Sequence, residues 1–193
     1  DSGMTIIEGH LFLNGKKPIQ HRSSYGLGEV IKAALDNHTE HLVISLGGIG
    51  SFDGGAGMLQ ALGARFYDDE AQIVDMRKGA DLIKYIRRID LSGVHPQLAK
   101  VNIQLMSDFS SRLYGKKSEI MQTYESLDLS QNEAAEIDNL IWYFSELFKN
   151  ELKIAMGPIE RGGAGGGIAA VLNSLYQAEI LTSHELVLSL IHI

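Results

Sequence analysis

HLVISLGGIGSFDGGAGMLQALG, residues 41–63, combines three patterns that together decide the fold. The nearly unbroken apolar run HLVISL (41–46) is typical of a strand that is covered on both faces, as in a parallel sheet flanked by helices. A glycine-rich loop with one acid, Asp53, follows, and AGMLQALG then predicts a helix that ends at Gly63. We therefore expect an α/β fold with HLVISL as an interior strand and the loop 47–55 at its carboxyl end, where parallel sheets bind ligands.

Hydrophobic spacing predicts further elements on both sides of this stretch. VNIQLM (101–106) alternates as a strand, and DLIKYIRRI (81–89) predicts a helix. Apolar residues at helical spacing predict a helix that ends near Asn37; they are Leu27, Val30, Ile31, Ala34 and Leu35.

The clearest helix signal is a capping box at Ser130 and Glu133. The apolar stripe of that helix consists of Ala134, Ile137, Ile141, Phe144 and Phe148. A second glycine cluster, RGGAGGG (161–167), then precedes a helical pattern that starts at Ile168. Each of the two glycine loops is therefore expected to open onto a helix N-terminus.

Composition limits the classes of function. The 193 residues, 45% hydrophobic, are expected to form a single domain over residues 1–193. A formal net charge of -7 argues against unspecific binding to nucleic acid or to anionic lipid. The chain has no cysteine and no apolar run long enough to span a bilayer, so we expect a cytoplasmic protein with no membrane partner. Its apolar helices leave a homo-oligomer possible.

The glycine loops offer backbone N–H groups to an anion, but neither loop contains a P-loop or a dinucleotide-binding motif. Asp53 has two interpretations: an N-cap of the following helix, or a carboxylate that holds a substrate hydroxyl or a magnesium-bound water. Arg161 favours an anion at the second cluster, although close packing of a helix on a sheet also selects glycine. Lys116 and Lys117 could meet a phosphate, or only water. No side-chain metal site is predicted.

Five segments, in this order and spacing, resemble the type 1 glycerate kinase family. They are SSYGLGEVIKAALD, GGIGSFDGGAGMLQALGARF, RRIDLSGVHPQLAKVNIQLMSD, AGGGIAAVL and HELVL, and the likeness runs from about Ile6 to Leu190. DGGAGMLQALG is the most specific of these blocks. The part that is similar is the central, inserted region of those kinases. The nucleotide-side domain of the family has no counterpart in the sequence.

The resemblance implies a sheet with helices packed on it, of the glycerate kinase inserted-domain type. It also implies phosphorylation of D-glycerate with ATP and magnesium, in a cleft that a nucleotide-side domain completes. The implied catalytic residues are Asp53 and Asp108. The implied substrate-binding residues are Ser23, Ser24, Gly47, Gly48, Ser51, Gly54, Gly55 and Arg161.

Departures from the family pattern leave other functions open. Phe52 stands where the family has an asparagine, which removes a donor and an acceptor from a site that must recognise a carboxylate and two hydroxyls. The family loop after Asp108 is replaced by Ser110, Ser111, Arg112, Leu113 and Tyr114, and a later motif is lost among residues 119–127. The chain is therefore either half of a kinase, an inactive module that binds small anions or a partner, or a purely structural domain.

Overall fold

The computed structural model describes residues 3–9, 17–48 and 50–191. Within these ranges the main sheet has four parallel strands: β1 (Met4–Glu8), β2 (His41–Ser45), β5 (Asn102–Met106) and β6 (Glu179–Leu181). Their spatial order is β1-β2-β5-β6, so β2 pairs with β1 on one side and with β5 on the other. The prediction of HLVISL as an interior strand is confirmed, and residues 47–55 follow at its carboxyl end.

Helices of very different lengths connect these strands. The α-helices are α1 (Tyr25–Asp36), α2 (Ala56–Ala61), α3 (Glu119–Thr123), α4 (Gln131–Leu147), α5 (Ile168–Tyr176) and α6 (Ser183–Ile191). Single turns of 3-10 helix occur at Ile19–His21, Met76–Lys78, Pro96–Ala99 and Tyr124–Leu127, and α4 continues into a π-helical turn at Phe148–Leu152. None of the helices in the described ranges is long and apolar enough to cross a membrane.

Helix α4 confirms the strongest local signal of the sequence. The Ser130 side chain accepts a hydrogen bond from the Glu133 N–H, and the Glu133 carboxylate accepts one from the Ser130 N–H, which completes the capping box. All five residues of the predicted stripe are buried, from Ala134 to Phe148. Phe144 contacts Phe66 and Phe148 edge to face, with ring centroids 5.8 and 5.0 Å apart. The stripe therefore anchors α4 in the core.

The predicted helix at residues 81–89 is wrong. The chain instead forms a 3-10 helix at Ala80–Tyr85 and then β4 (Arg88–Asp90), which pairs antiparallel with β3 (Arg65–Tyr67). The three isoleucines of residues 81–89, which are Ile83, Ile86 and Ile89, recur at every third position and are all buried. That spacing fits a turn of 3-10 helix better than an α-helix, and pairing with β3 then extends the chain.

Candidate active site

A cleft of about 410 Å³ opens where β2 and β5 end. Parallel sheets bind ligands at this edge, because loops from neighbouring strands meet there. The lining residues of the first loop are Ser45, Leu46, Gly47, Gly48, Gly50 and Phe52, and those from β5 onward are Met106, Ser107, Asp108, Phe109, Glu119, Thr123, Ser126 and Leu127. Of the predicted site residues, the structure thus brings Gly47, Gly48 and Asp108 together at one surface.

The lining of the cleft is acidic and hydroxyl-bearing. It includes two carboxyl groups, on Asp108 and Glu119, and no lysine, arginine or histidine among its described residues. A Cβ atom added at Gly47 would meet no atom of the described residues within 4 Å, so the backbone there is open to a ligand. This wall can accept hydrogen bonds from hydroxyl groups and can offer backbone N–H groups, but it supplies no positive side chain.

Asp108 is exposed, and in the described part of the chain only one of its carboxylate oxygens accepts a hydrogen bond. Its Oδ1 accepts a hydrogen bond of 2.8 Å from the N–H of Ser183, the first residue of α6. No hydrogen bond from the described residues reaches Oδ2. The contact with α6 fixes the side chain while leaving one carboxylate oxygen available to a ligand in the cleft.

Glu119 is a cleft residue that the sequence analysis missed. Its Oε2 accepts a hydrogen bond of 3.2 Å from the Gly166 N–H in the second glycine loop. Burial raises the pKa of the Glu119 carboxyl to about 7, against the opposing effect of hydrogen bonds from Gly166 and Gly165. No local pattern marks this residue, because its partners are more than 40 positions away in the sequence. The second glycine loop therefore already holds a carboxylate from the protein itself.

Asp53 lies beneath the cleft surface and is fully buried. Its Oδ2 accepts hydrogen bonds from the N–H and the hydroxyl of Ser24, at 2.7 and 2.9 Å, and from the Gly57 N–H at 3.2 Å. The Ser23 hydroxyl donates to the same oxygen at 3.4 Å, and the Gly55 N–H donates to Oδ1 at 3.1 Å. The carboxylate therefore joins the start of α1 to the start of α2.

Asp53 is not the N-cap of α2, because Gly55 occupies that position, but its carboxylate still accepts a hydrogen bond from the Gly57 N–H in the first turn of the helix. Burial raises the pKa of the Asp53 carboxyl, while the hydrogen bonds from Ser24, Gly55 and Gly57 lower it. Every group at these distances can donate, which favours the ionised form. With no exposed surface, Asp53 would have to be uncovered before it could touch a ligand, and its predicted catalytic role stays a prediction.

The remaining predicted residues of the first loop pack against the second loop. The Gly54 N–H donates to the Gly166 carbonyl at 3.0 Å, and a Cβ at Gly166 would collide with the Ser51 carbonyl. The Ser51 side chain is buried, and its hydroxyl has no hydrogen-bond partner within the described ranges. Gly55 has a φ of 78°, in the left-handed region where glycine is favoured. The two loops thus touch through their backbones, which supports the close-packing interpretation of the glycines.

Arg161 does not line the cleft. Its Nη1 lies 3.1 Å from Glu185 Oε2 on α6, and its side chain borders a separate, smaller cavity. The predicted substrate-binding residues therefore divide into three groups. Gly47 and Gly48 line the cleft, Arg161 lies at the second cavity, and the others belong to the packed layer around Asp53.

Comparison with known proteins identifies the family. The model of the glycerate kinase family matches residues 3–193, so the chain belongs to that family. A glycerate kinase from Halalkalibacterium halodurans is 31% identical over 93% of this chain, and a glycerate 2-kinase from Escherichia coli is 30% identical over 86%. A crystal structure of a Salmonella typhimurium LT2 protein assigned as glycerate kinase 2 superposes with a TM-score of 0.89 at 27% identity. The inserted-domain type of α/β fold is thereby confirmed.

The matches cover the chain almost fully but only part of each relative. The chain spans about half the length of the curated relatives it matches, 47% of the H. halodurans protein and 43% of the E. coli protein. For the solved S. typhimurium structure, 98% of this chain corresponds to 52% of the other.

Proposed function

We propose that this chain is the substrate-side domain of a glycerate kinase and forms one wall of its active site. A nucleotide-side domain would complete the cleft, and the reaction would be phosphorylation of D-glycerate by ATP. Family membership supports the reaction class. The observation that carries the proposal is the lining of the cleft, where carboxylate and hydroxyl groups accompany open glycine backbone and the described residues include no cation.

This lining suits the binding and deprotonation of the glycerate hydroxyl that attacks the phosphoryl group. The free Oδ2 of Asp108 can orient a glycerate hydroxyl and accept its proton as the hydroxyl attacks the phosphoryl group. Gly47 and Gly48 are exposed, and the open backbone at Gly47 lets the substrate lie close to the loop. ATP supplies the phosphoryl group when it is bound, but its phosphates need cationic partners, and the described lining has none. The ATP phosphates would therefore be held by the second domain.

The described residues of the cleft wall offer few ligands to a magnesium ion. The described residues contain no group of three potential metal ligands among Asp, Glu, His and Cys. A hydrated magnesium ion needs only one or two carboxylates, because it usually keeps several of its waters. Asp108 would hold such an ion through one of these waters as an alternative to binding the glycerate hydroxyl, because only its Oδ2 is left without a hydrogen bond from the described residues.

The second candidate function is an inactive module that binds a small ligand. It is favoured by the buried ring of Phe52 in the cleft wall, where the family resemblance implies an amide, and by Glu119, which already occupies the Gly166 N–H. In this case the fold and the cleft persist without turnover.

A chimera separates the two functions. This chain would replace the matching part of the H. halodurans glycerate kinase, and ADP formation would be followed with and without D-glycerate. We expect glycerate-dependent ADP formation that falls at least 100-fold with Asp108→Asn, because the hydroxyl then loses its proton acceptor. A folded chimera that binds glycerate but forms no ADP would establish the inactive module. The chain alone should form no glycerate-dependent ADP above an Asp53→Ala control.

A further inference from the structure

A second, smaller cavity has the opposite charge to the cleft and shares none of its lining residues. Its volume is about 150 Å³, and it is lined by Ser110, Ser111, Arg112, Lys117, Glu160 and Arg161. Three of these side chains are cationic and one is acidic, in a chain whose formal net charge is -7. The volume equals roughly five water molecules, enough for an inorganic ion and too small for a nucleotide.

Two loops bring the cations together. The Arg112 N–H donates to the Lys117 carbonyl at 2.8 Å, so residues 112–117 fold back and both side chains border the same space. The Gly163 N–H donates to the Ser111 carbonyl at 3.3 Å. A Cβ at Gly163 would collide with the Arg112 carbonyl, so only glycine lets the second glycine loop approach this closely. Arg161 is thereby placed beside Arg112 and Lys117.

Among the residues that the structure describes, few groups accept hydrogen bonds from these three cations. Arg112 donates from Nη1 to the Pro158 carbonyl at 3.3 Å, and Arg161 contacts Glu185 through its own Nη1. Within the described ranges the Lys117 ammonium has no hydrogen-bond or ion-pair partner. A guanidinium carries five N–H groups in a planar fork that matches the oxygens of a phosphate, and an ammonium adds a compact positive charge.

We propose that this cavity binds a phosphate-type oxyanion, held by Arg112 and Lys117 with Arg161 at its border. Bound there, the anion would join residues 110–117 to residues 160–163. Through the contact of Arg161 with Glu185 it would also act on α6, the helix whose first N–H is bound by Asp108. Because the chain continues from Lys117 directly into the cleft residue Glu119, the anion would steady one wall of the cleft.

The test uses the full chain and inorganic phosphate. Calorimetric titration and thermal unfolding would be measured at constant ionic strength, with sodium chloride as the salt control. We expect saturable binding of phosphate and a rise in Tm that chloride does not reproduce. Arg112→Gln and Lys117→Gln should each weaken binding by about tenfold or more, because each removes a charge-assisted contact. Far-UV circular dichroism would confirm that these variants, both at exposed positions, remain folded.

Lys116→Gln is the matched control. Lys116 is exposed in the same loop and carries the same charge, but it does not line the cavity, so phosphate binding should be unchanged. The same titration with glycerol phosphate identifies the type of ligand. Binding as tight as that of inorganic phosphate would indicate that the cavity takes the free ion. Binding more than tenfold tighter would indicate that it takes the phosphate group of an organic ester. Phosphate and chloride effects of equal size, or an equal loss in Lys116→Gln and Lys117→Gln, would overturn the proposal.

Discussion

The two glycine loops look alike in sequence, and in the structure backbone N–H groups in or directly after each loop donate to a buried or partly buried carboxyl group. In the first loop the acid is Asp53, which lies within the loop itself and is fully buried. In the second loop the acid is Glu119, which comes from a helix 47 residues earlier in the chain and lies at the edge of the cleft. The first loop thus contains the carboxyl group that it binds, whereas the second loop binds a carboxyl group from α3.

The two carboxyl groups also differ in the number of hydrogen-bond donors that surround them. Asp53 has four donors on one oxygen and one on the other, and these hydrogen bonds oppose the rise in its pKa that burial causes. For Glu119, burial disfavours the ionised form more than the N–H groups of Gly165 and Gly166 favour it, so the pKa of the carboxyl rises to about 7. We therefore expect the first loop to govern stability and the second to respond to pH near neutrality.

Asp53→Ala should have the largest effect of any change in either loop. It leaves several buried N–H and O–H donors without an acceptor, which should lower the free energy of unfolding by about 3 to 5 kcal/mol. Asp53→Asn should lose about half as much, because its single acceptor oxygen cannot serve both Gly55 and Ser24. Urea unfolding measures both, with exposed Asp108→Ala as the comparison. Equal losses for Asp53→Ala and Asp108→Ala would show that the buried network does not hold the helices together.

Glu119 should make stability depend on pH. Its usual pKa of 4.5 is raised to about 7 on folding, so between these values the folded chain binds more protons than the unfolded chain. The free energy of unfolding should consequently fall as pH rises from about 4.5 to about 7, by about 2 to 3 kcal/mol given the partial exposure of the side chain.

Glu119→Gln should remove the Glu119 share of this fall, because glutamine still accepts the Gly166 hydrogen bond and carries no charge. The variant should match the parent chain near pH 4 and exceed it in stability at pH 8. Glu151→Gln, at an exposed position, is the control for the change in net charge and should keep the full pH dependence. Unfolding curves at a series of pH values measure this, and a parallel response of the two variants would assign the pH dependence to other groups.

Gly47→Ala should have the smallest effect. An added Cβ meets nothing within 4 Å, so we expect a stability change below about 0.5 kcal/mol. Gly57→Ala is the contrast, since its Cβ would collide with the Ser23 hydroxyl and lie 2.8 Å from Asp53 Oδ2. That variant should lose about 2 kcal/mol or more in urea unfolding. Similar losses at both positions would mean that the first loop is not divided into an open part and a packed part.

Much of the fold could be predicted because its signals are local. The Ser130 and Glu133 capping box lies three residues apart, and the stripe of α4 follows one helical period. The helix predicted for residues 81–89 was wrong, because three isoleucines at a spacing of three resemble the apolar stripe of a helix. In the structure, pairing with β3 extends this part of the chain instead. Local periodicity alone cannot distinguish these two outcomes.

The sequence by itself determined the α/β class, the interior strand HLVISL, the two loop-to-helix junctions and the membership of a kinase family, since each depends on residues that are close together or on an ordered set of motifs. Only the tertiary structure decided that Asp53 is buried beneath the cleft, that Arg161 borders a different cavity, and that Glu119 binds the second loop. Burial, desolvation and contacts across 47 residues depend on how distant segments pack, and no local pattern encodes them.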